Sequence, residues 1–174
     1  MRERTLRPIS FLGTLIFVGL LLILSTEENV VQADPPKAKV LITGFGPFQN
    51  VRVNPSWAGA KQLSGEVIED HEVVAVELPV DYRKIRDELP LLIKKHDPQV
   101  VIHFGVYWPG ALRFEQRARN SISRIPDVSG YYPEDRRVTE DGPMIYRSRL
   151  PESDLLKEMP EAGFDMVSSD DAGR

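Results

Sequence analysis

The stretch Lys39-Val-Leu-Ile-Thr-Gly-Phe-Gly-Pro-Phe48 constrains the chain most. Val40–Thr43 is a short apolar strand that runs straight into a turn made of Gly44, Gly46 and Pro47. A strand ending in a glycine-rich turn is where an open α/β sheet places its ligand. Glycine there permits backbone angles and close approaches that a Cβ forbids. Phe45 and Phe48 sit three residues apart in the turn, and two aromatics so placed need covering. Two readings stay open on spacing alone: they plug the core beneath the turn, or they grip a ligand.

More strands and helices follow in alternation. Asn54-Pro55-Ser56-Trp57 is a helix start, with Asn54 as cap and Pro55 in the first turn; the helix is expected to reach Leu63 with Trp57 and Ala60 inward. Glu72–Leu78 is β-branched and reads as a second strand, ended by Pro79. Tyr82–His96 carries Ile85, Leu89, Leu92 and Ile93 at helical spacing, with Pro90 marking a kink or the start of its regular part. Gln99–Phe104 is a third strand, and its Val100-Val101-Ile102 run suits a sheet covered on both faces. This order predicts right-handed crossovers and a mainly parallel sheet.

The later segments are more polar. Arg113–Ser121 alternates charged with other residues and reads as one extended segment, with Glu115 between Arg113 and Arg117 on one face. Such a ladder is by default a solvated one. Ile125–Arg137, rich in Pro, Gly, Tyr and acids, reads as mobile cover or substrate contact rather than core. Pro151–Ala162 is a last helix with Leu155, Leu156 and Met159 inward, and Phe164–Ser168 a fourth strand. His103, near the end of its strand, reads as a half-buried, hydrogen-bonded residue.

Composition narrows the chemistry. The chain has 174 residues, enough for one globular core. Its net charge of −4 and lack of a basic stripe argue against a nucleic-acid partner. It holds no cysteine, which excludes disulfides, zinc–thiolate sites and a cysteine nucleophile within these residues. Residues 1–33 are set apart from the fold. Arg2, Arg4 and Arg7 precede an apolar run from Ile9 to Leu24, and Val31-Gln32-Ala33 is a candidate cleavage site. A cleaved secretory signal, an uncleaved membrane anchor and a buried core helix are the three readings of this leader. Residues 34–38 are then a linker, 39–174 the domain, and membrane contact is expected only through residues 9–24. The first reading places the product in the secretory pathway.

Taken together, several short pieces resemble pyroglutamyl-peptidase I, the cysteine exopeptidases that remove N-terminal pyroglutamate. They are Thr43-Gly44-Phe45-Gly46-Pro47-Phe48, Asn54-Pro55-Ser56-Trp57, Leu78-Pro79-Val80 and His103-Phe104-Gly105-Val106. To these add Glu115 with Asn120, Glu140-Asp141-Gly142-Pro143, and Asp171-Ala172-Gly173-Arg174. The resemblance implies a three-layer α/β/α sandwich around a mainly parallel twisted sheet. It implies that Phe45, Phe48, Val80 and Val106 contact the lactam ring of a pyroglutamyl peptide. It implies a Cys-His-Glu triad with Glu115 as the acid that orients the histidine. The thiolate attacks the carbonyl after pyroglutamate, and the histidine takes and returns the proton. No metal or organic cofactor is implied.

Three departures from the family pattern stand beside this. The family's cysteine follows the Asp-Ala-Gly-Arg turn by a few residues, so nucleophile and histidine are expected to be missing here, with a last strand and helix. The domain is then expected to be incomplete at its C-terminus and poorly soluble, with an open sheet edge. The loop before Glu115 is one residue short, and Gln116-Arg117 replaces a basic-then-apolar pair. The family is typically cytosolic, whereas this chain has an apolar leader.

Overall fold

The computed structural model describes residues 37–107 and 109–171; the leader, the first residues of the linker and the terminal Ala172-Gly173-Arg174 lie outside the described residues. β1 (Ala38–Phe45) is longer at both ends than the apolar run predicts, so Ala38 belongs to the strand rather than to a linker. It is flanked on one side by β3 (His71–Leu78) and on the other by β4 (Val100–His103), both parallel to it. β2 (Val67–Ile68) adds antiparallel to β3, giving the order β2-β3-β1-β4.

This order fixes where the helices go. The chain crosses from β1 to β3 in one direction and from β3 to β4 in the other, back across β1. Right-handed crossovers, the rule for parallel strands, put α1 (Pro55–Ala60) and α2 (Tyr82–His96) on opposite faces of the sheet. β1 is therefore covered on both sides, and Leu41, Ile42, Thr43 and Gly44 are all buried. Ile42, Ala60 and Val73 form the core on the α1 face, with Val40, Trp57, Ala75 and Ile102 packed against them. Alternation puts Leu41 and Thr43, both fully buried, on the other face.

Gly44 has a specific reason to be glycine. A Cβ there would lie 2.5 Å from both the Cα and the backbone N of Trp57, so α1 rests directly on the strand. α1 gives way to a 3₁₀ turn at Lys61–Leu63, and Leu63 is exposed. α2 runs without interruption through Pro90, capped by Asp81, whose Oδ1 accepts from Arg83 N and Lys84 N at 3.0 Å. Lys94, Lys95 and His96 occupy its last turn, suiting the negative pole.

Three expectations need correction. β4 is an edge strand of this sheet and only half-buried, so its apolar run does not signify full cover on both faces. Arg113–Ser121 is not one strand but two, β5 (Leu112–Glu115) and β6 (Arg117–Arg119). Gln116 is the crossover between them: its N–H donates to Ser169 O, and its carbonyl accepts from Ser148 N. β6 pairs antiparallel with β7 (Ile145–Arg147), while β5 pairs parallel with β8 (Met166–Ser169). The last predicted strand thus forms a separate ladder, reached through α3 (Glu152–Glu161), on which Leu155, Leu156 and Met159 are half-buried.

Candidate functional site

Because β1, β3 and β4 are parallel, their C-terminal ends meet at one edge of the sheet. The connection leaving β1 runs one way across the sheet and the next returns past β1 to β4, and such a reversal leaves a crevice for a ligand. The edge carries Phe45–Phe48 after β1, Pro79-Val80 after β3 and Phe104–Val106 after β4. The fold therefore brings Phe45, Phe48, Val80 and Val106 to the same edge. Phe45, Phe48 and Val80 are half-buried; Val106 is exposed, as is Phe104.

The turn after β1 is held from both sides. Gly46 N donates to Leu78 O at 2.9 Å, and Gly46 O accepts from Asn54 Nδ2 at the same distance. Phe45 N donates to Ser56 Oγ at 3.0 Å, and Ser56 Oγ in turn donates to Asn54 Oδ1 at 2.7 Å. Asn54 is buried and also caps α1 through Ser56 N. Phe48 and Val51 exchange backbone bonds of 3.2 and 2.8 Å across a tight turn in which Gln49 takes a φ of 46°. The Asn54-Pro55-Ser56 start thus serves the helix and the turn together.

Two cavities flank that turn. The larger, about 430 Å³ and open to solvent, is lined by Gly46, Leu78, Pro79, Val80, Lys84 and Val128 among others. The smaller, about 120 Å³, lies against Phe45, Asn54 and Trp57. Pro47 and Glu77 line both, so the turn is the wall between them. Phe48, Val106 and Glu115 line neither.

Glu115 ends β5, opposite Ser169. Its Oε2 is buried and has no hydrogen-bond partner among the described residues. The expected charge ladder does not form around it, because the break at Gln116 changes the facing. Arg117 Nε pairs instead with Asp170 at 2.9 Å, and the Arg113 guanidinium stacks 4.4 Å from the centre of the Tyr107 ring. Gln116 Nε2 donates to Glu152 Oε1 and to Ser168 Oγ. A buried carboxylate oxygen without a donor is costly and marks a position suited to orienting a cationic or N–H-bearing group.

Of the three histidines only His103 reaches this edge. His71 begins β3, one strand length of roughly 23 Å away, and bonds Glu69 O through Nδ1. His96 closes α2, about 21 Å along the helix from Tyr82. His103 as a whole is exposed, but its Nδ1 edge shares a 2.7 Å bond with the hydroxyl of Thr43, which is wholly buried. Partial removal from water lowers its pKa below 6.5. The folded state then holds fewer protons than the unfolded chain below that value. Stability should be full above about pH 6.5 and decline as pH falls toward the lower folded value. His103→Asn, followed by urea melts from pH 7.5 to 5.5, should flatten that decline and cost about 1 kcal/mol at pH 7.5 for the weakened bond.

Sequence reasoning missed the part played by the loop after residue 124. Asp127 binds it to the N-terminus of α2: Oδ2 accepts from Tyr82 N at 3.1 Å, while Oδ1 accepts from Ser129 N, Ser129 Oγ and Tyr131 N at 2.8, 2.6 and 3.1 Å. Val128 N donates to Val80 O at 3.1 Å, Tyr82 OH to Ile125 O at 3.0 Å, and Arg83 stacks over Tyr131. The Ser129 hydroxyl and the backbone N–H groups hold the Asp127 carboxyl below its ordinary value. Withdrawal from water, with the Asp127 charge beside it, raises the Tyr82 phenol. The Asp-x-Ser spacing of an Asx turn was the available signal. Among the described residues no cluster of three or more His, Asp or Glu could hold a metal, and no helix is long and apolar enough to cross a membrane.

The pyroglutamyl peptidase family model matches residues 38–174. The pyrrolidone-carboxylate peptidase of Bacillus subtilis is 37% identical over 139 residues, covering 79% of this chain and 65% of the relative. That of Thermococcus kodakarensis is 38% identical over 137 residues, covering 78% and 66%. A mutant pyrrolidone carboxyl peptidase from Pyrococcus furiosus superposes with a TM-score of 0.74 at 36% identity, covering 78% of this chain and 66% of the other. Pyroglutamyl peptidase I of Bacillus amyloliquefaciens gives 0.72 at 32%, covering 79% and 68%. The chain spans about 65% of the length of the curated relatives it matches. On the family model and these relatives together, the chain belongs to the pyroglutamyl peptidase family.

Proposed function

We propose that the site is that of a cysteine exopeptidase for N-terminal pyroglutamate, and that the polypeptide of these 174 residues binds pyroglutamyl peptides without cleaving them. The lactam ring is flat and apolar on its faces, and its ring carbonyl and N–H want hydrogen-bond partners. The sheet edge offers Phe45, Phe48, Val80 and Val106 for the faces. The observation that carries the reading is the clamp on the Phe45–Phe48 turn from Asn54, Ser56 and Leu78, which holds the two aromatics in place before any ligand arrives.

Glu115 is assigned the triad acid's part. Its buried Oε2 at the end of β5, without a hydrogen-bond partner among the described residues, suits an acceptor for an imidazole N–H. The acid alone does not make a catalyst. A thiolate nucleophile requires cysteine, and these 174 residues contain none. Neither His71 nor His96 stands at the sheet edge, and His103 is engaged with Thr43. Without the nucleophile nearly all of a triad's rate advantage is lost.

The full chain, given a pyroglutamyl-coumarin substrate, is expected to show no turnover above a heat-killed control; measurable turnover would refute the inert-chain reading. Calorimetry with pyroglutamyl-alanine should register heat at millimolar ligand, and Phe45→Ala should weaken that binding about tenfold through loss of aromatic contact. No heat from the unaltered chain would defeat the binding reading. The apolar run Ile9–Leu24 supports entry into the secretory pathway, with anchoring in the membrane as the second outcome.

A further inference from the structure

The larger cavity is lined by the turn after β1, the end of β3, the start of α2 and one residue of the loop after residue 124, Val128. Val128 stands beside Val80, its N–H donating to Val80 O at 3.1 Å, on a loop whose Ile125 and Val128 side chains are both exposed. Val128 is itself exposed, so packing does not hold it there. What holds the loop is polar. A single carboxylate accepts four donors, three from its own loop on Oδ1 and one from the first residue of α2 on Oδ2. The loop's other ties are Val128 N to Val80 O, Tyr82 OH to Ile125 O, and Arg83, which stacks over the Tyr131 ring and donates to Ser129 Oγ.

We propose that Asp127 is a positioning residue: it latches the Ile125–Tyr131 loop onto the start of α2 and thereby sets the Val128 wall of the cavity beside Val80. The latch is a property of the free protein. That the cavity's occupant is a pyroglutamyl peptide rests on the function proposed above.

The chemistry demands a carboxylate. Both oxygens must accept, because both face N–H groups. An amide can accept on one side only. Asn at this position turns its NH₂ either toward Tyr82 N or toward the Ser129 and Tyr131 donors, and one half of the latch opens in either case. Glutamate sets the carboxyl one methylene further out, past the two-residue reach of the turn.

The test compares unaltered chain, Asp127→Asn and Ser129→Ala by amide hydrogen exchange and by calorimetry with pyroglutamyl-alanine. In D127N the amides of Tyr82, Val128, Ser129 and Tyr131 should exchange at least tenfold faster, while those of Ile42 and Val74 in the sheet stay within twofold. S129A removes one donor of four and should give a smaller rise at the same amides. Pyroglutamyl-alanine should bind D127N at least fivefold more weakly. Loop exchange within twofold of the unaltered chain in D127N overturns the latch. Faster loop exchange with unchanged affinity overturns the positioning role. If D127N fails to fold, the Ile42 and Val74 amides rise with the rest and S129A decides, a change confined to the loop supporting the latch and no change overturning it. If the unaltered chain takes no heat from the peptide, the proposed function fails, and the exchange data alone decide on the latch.

Discussion

Gly44→Ala is expected to remove most of the chain's stability. The added Cβ would sit 2.5 Å from the Cα and N of Trp57 and 2.6 Å from the backbone carbon of Ser56. Carbon atoms in contact settle at about 3.5–4.0 Å, so strand and helix must part by on the order of 1 Å. None of the obstructing atoms belongs to a side chain that could swing away. Parting them opens the Ile42–Ala60–Val73 core and stretches the bonds from Ser56 and Asn54 to the Phe45–Gly46 turn. We expect a loss of about 4 kcal/mol or more, against a whole-domain stability of about 5–15 kcal/mol. Gly59→Ala in α1 is the control, since a Cβ there meets nothing within 4 Å. It shares the unfolded-chain effect of replacing glycine and should raise stability by up to about 1 kcal/mol. Urea melts decide: the G44A midpoint should fall by about 2 M, and a midpoint within about 0.3 M of the unaltered chain would show that the contact is softer than its geometry.

The parts of this fold that could be read from residues are those whose information is local. α2 was predicted at Tyr82–His96 and forms over that span, because Asp81 caps it and its apolar residues recur at helical spacing. β1, β3 and β4 are apolar runs ended by Gly or Pro, and their parallel pairing follows from the helices between them. β2 and β7 were not legible: Val67–Ile68 and Ile145–Arg147 are short and exposed, so no buried face imposes a period. The break at Gln116 was hidden for a different reason. An alternating pattern states which residues share a face only while the strand continues, and the two ladders that divide it involve β7 and β8, far along the chain. Of the site, Phe45, Phe48, Val80, Val106 and Glu115 rest on the resemblance; the parallel sheet explains why the first four share an edge. The Asx-turn half of the Asp127 latch shows in the local Asp-x-Ser spacing, but its bond to Tyr82 joins residues 45 positions apart and has no counterpart in any local pattern.

Asn120→Ala is expected to cost about 3 kcal/mol or more, although Asn120 touches neither cavity. Its side chain is 1% exposed and uses every hydrogen-bonding capacity it has toward one loop. Oδ1 accepts from Val138 N and Thr139 N at 2.9 and 2.8 Å; Nδ2 donates to Thr139 O and Gly142 O at 2.8 and 3.1 Å. Asn120 N donates to Met144 O at 2.9 Å, so the residue ties β6 to both arms of the Glu140-Asp141-Gly142-Pro143 turn. Gly142 is pressed into this staple, where a Cβ would strike the Thr139 and Tyr146 hydroxyls. Alanine leaves two N–H and two C=O groups without partners, at about 1 kcal/mol or more for each that water cannot reach. Asn120→Asp separates this account from a plain packing defect. A carboxylate keeps the two N–H donors but turns its second oxygen on the carbonyls of Thr139 and Gly142. That repulsion and the burial raise the new group's folded pKa above the unfolded value of about 3.9. A raised carboxyl pKa means that the folded state holds the extra proton, and a protonated carboxyl can again donate to a carbonyl. N120D should therefore gain stability relative to the unaltered chain as pH falls from 7 toward 4, while N120A should show no such gain. Urea midpoints measured at pH 7, 5.5 and 4 read the difference, and parallel pH curves for the two variants would mean that the carbonyls of the turn are not held by Asn120.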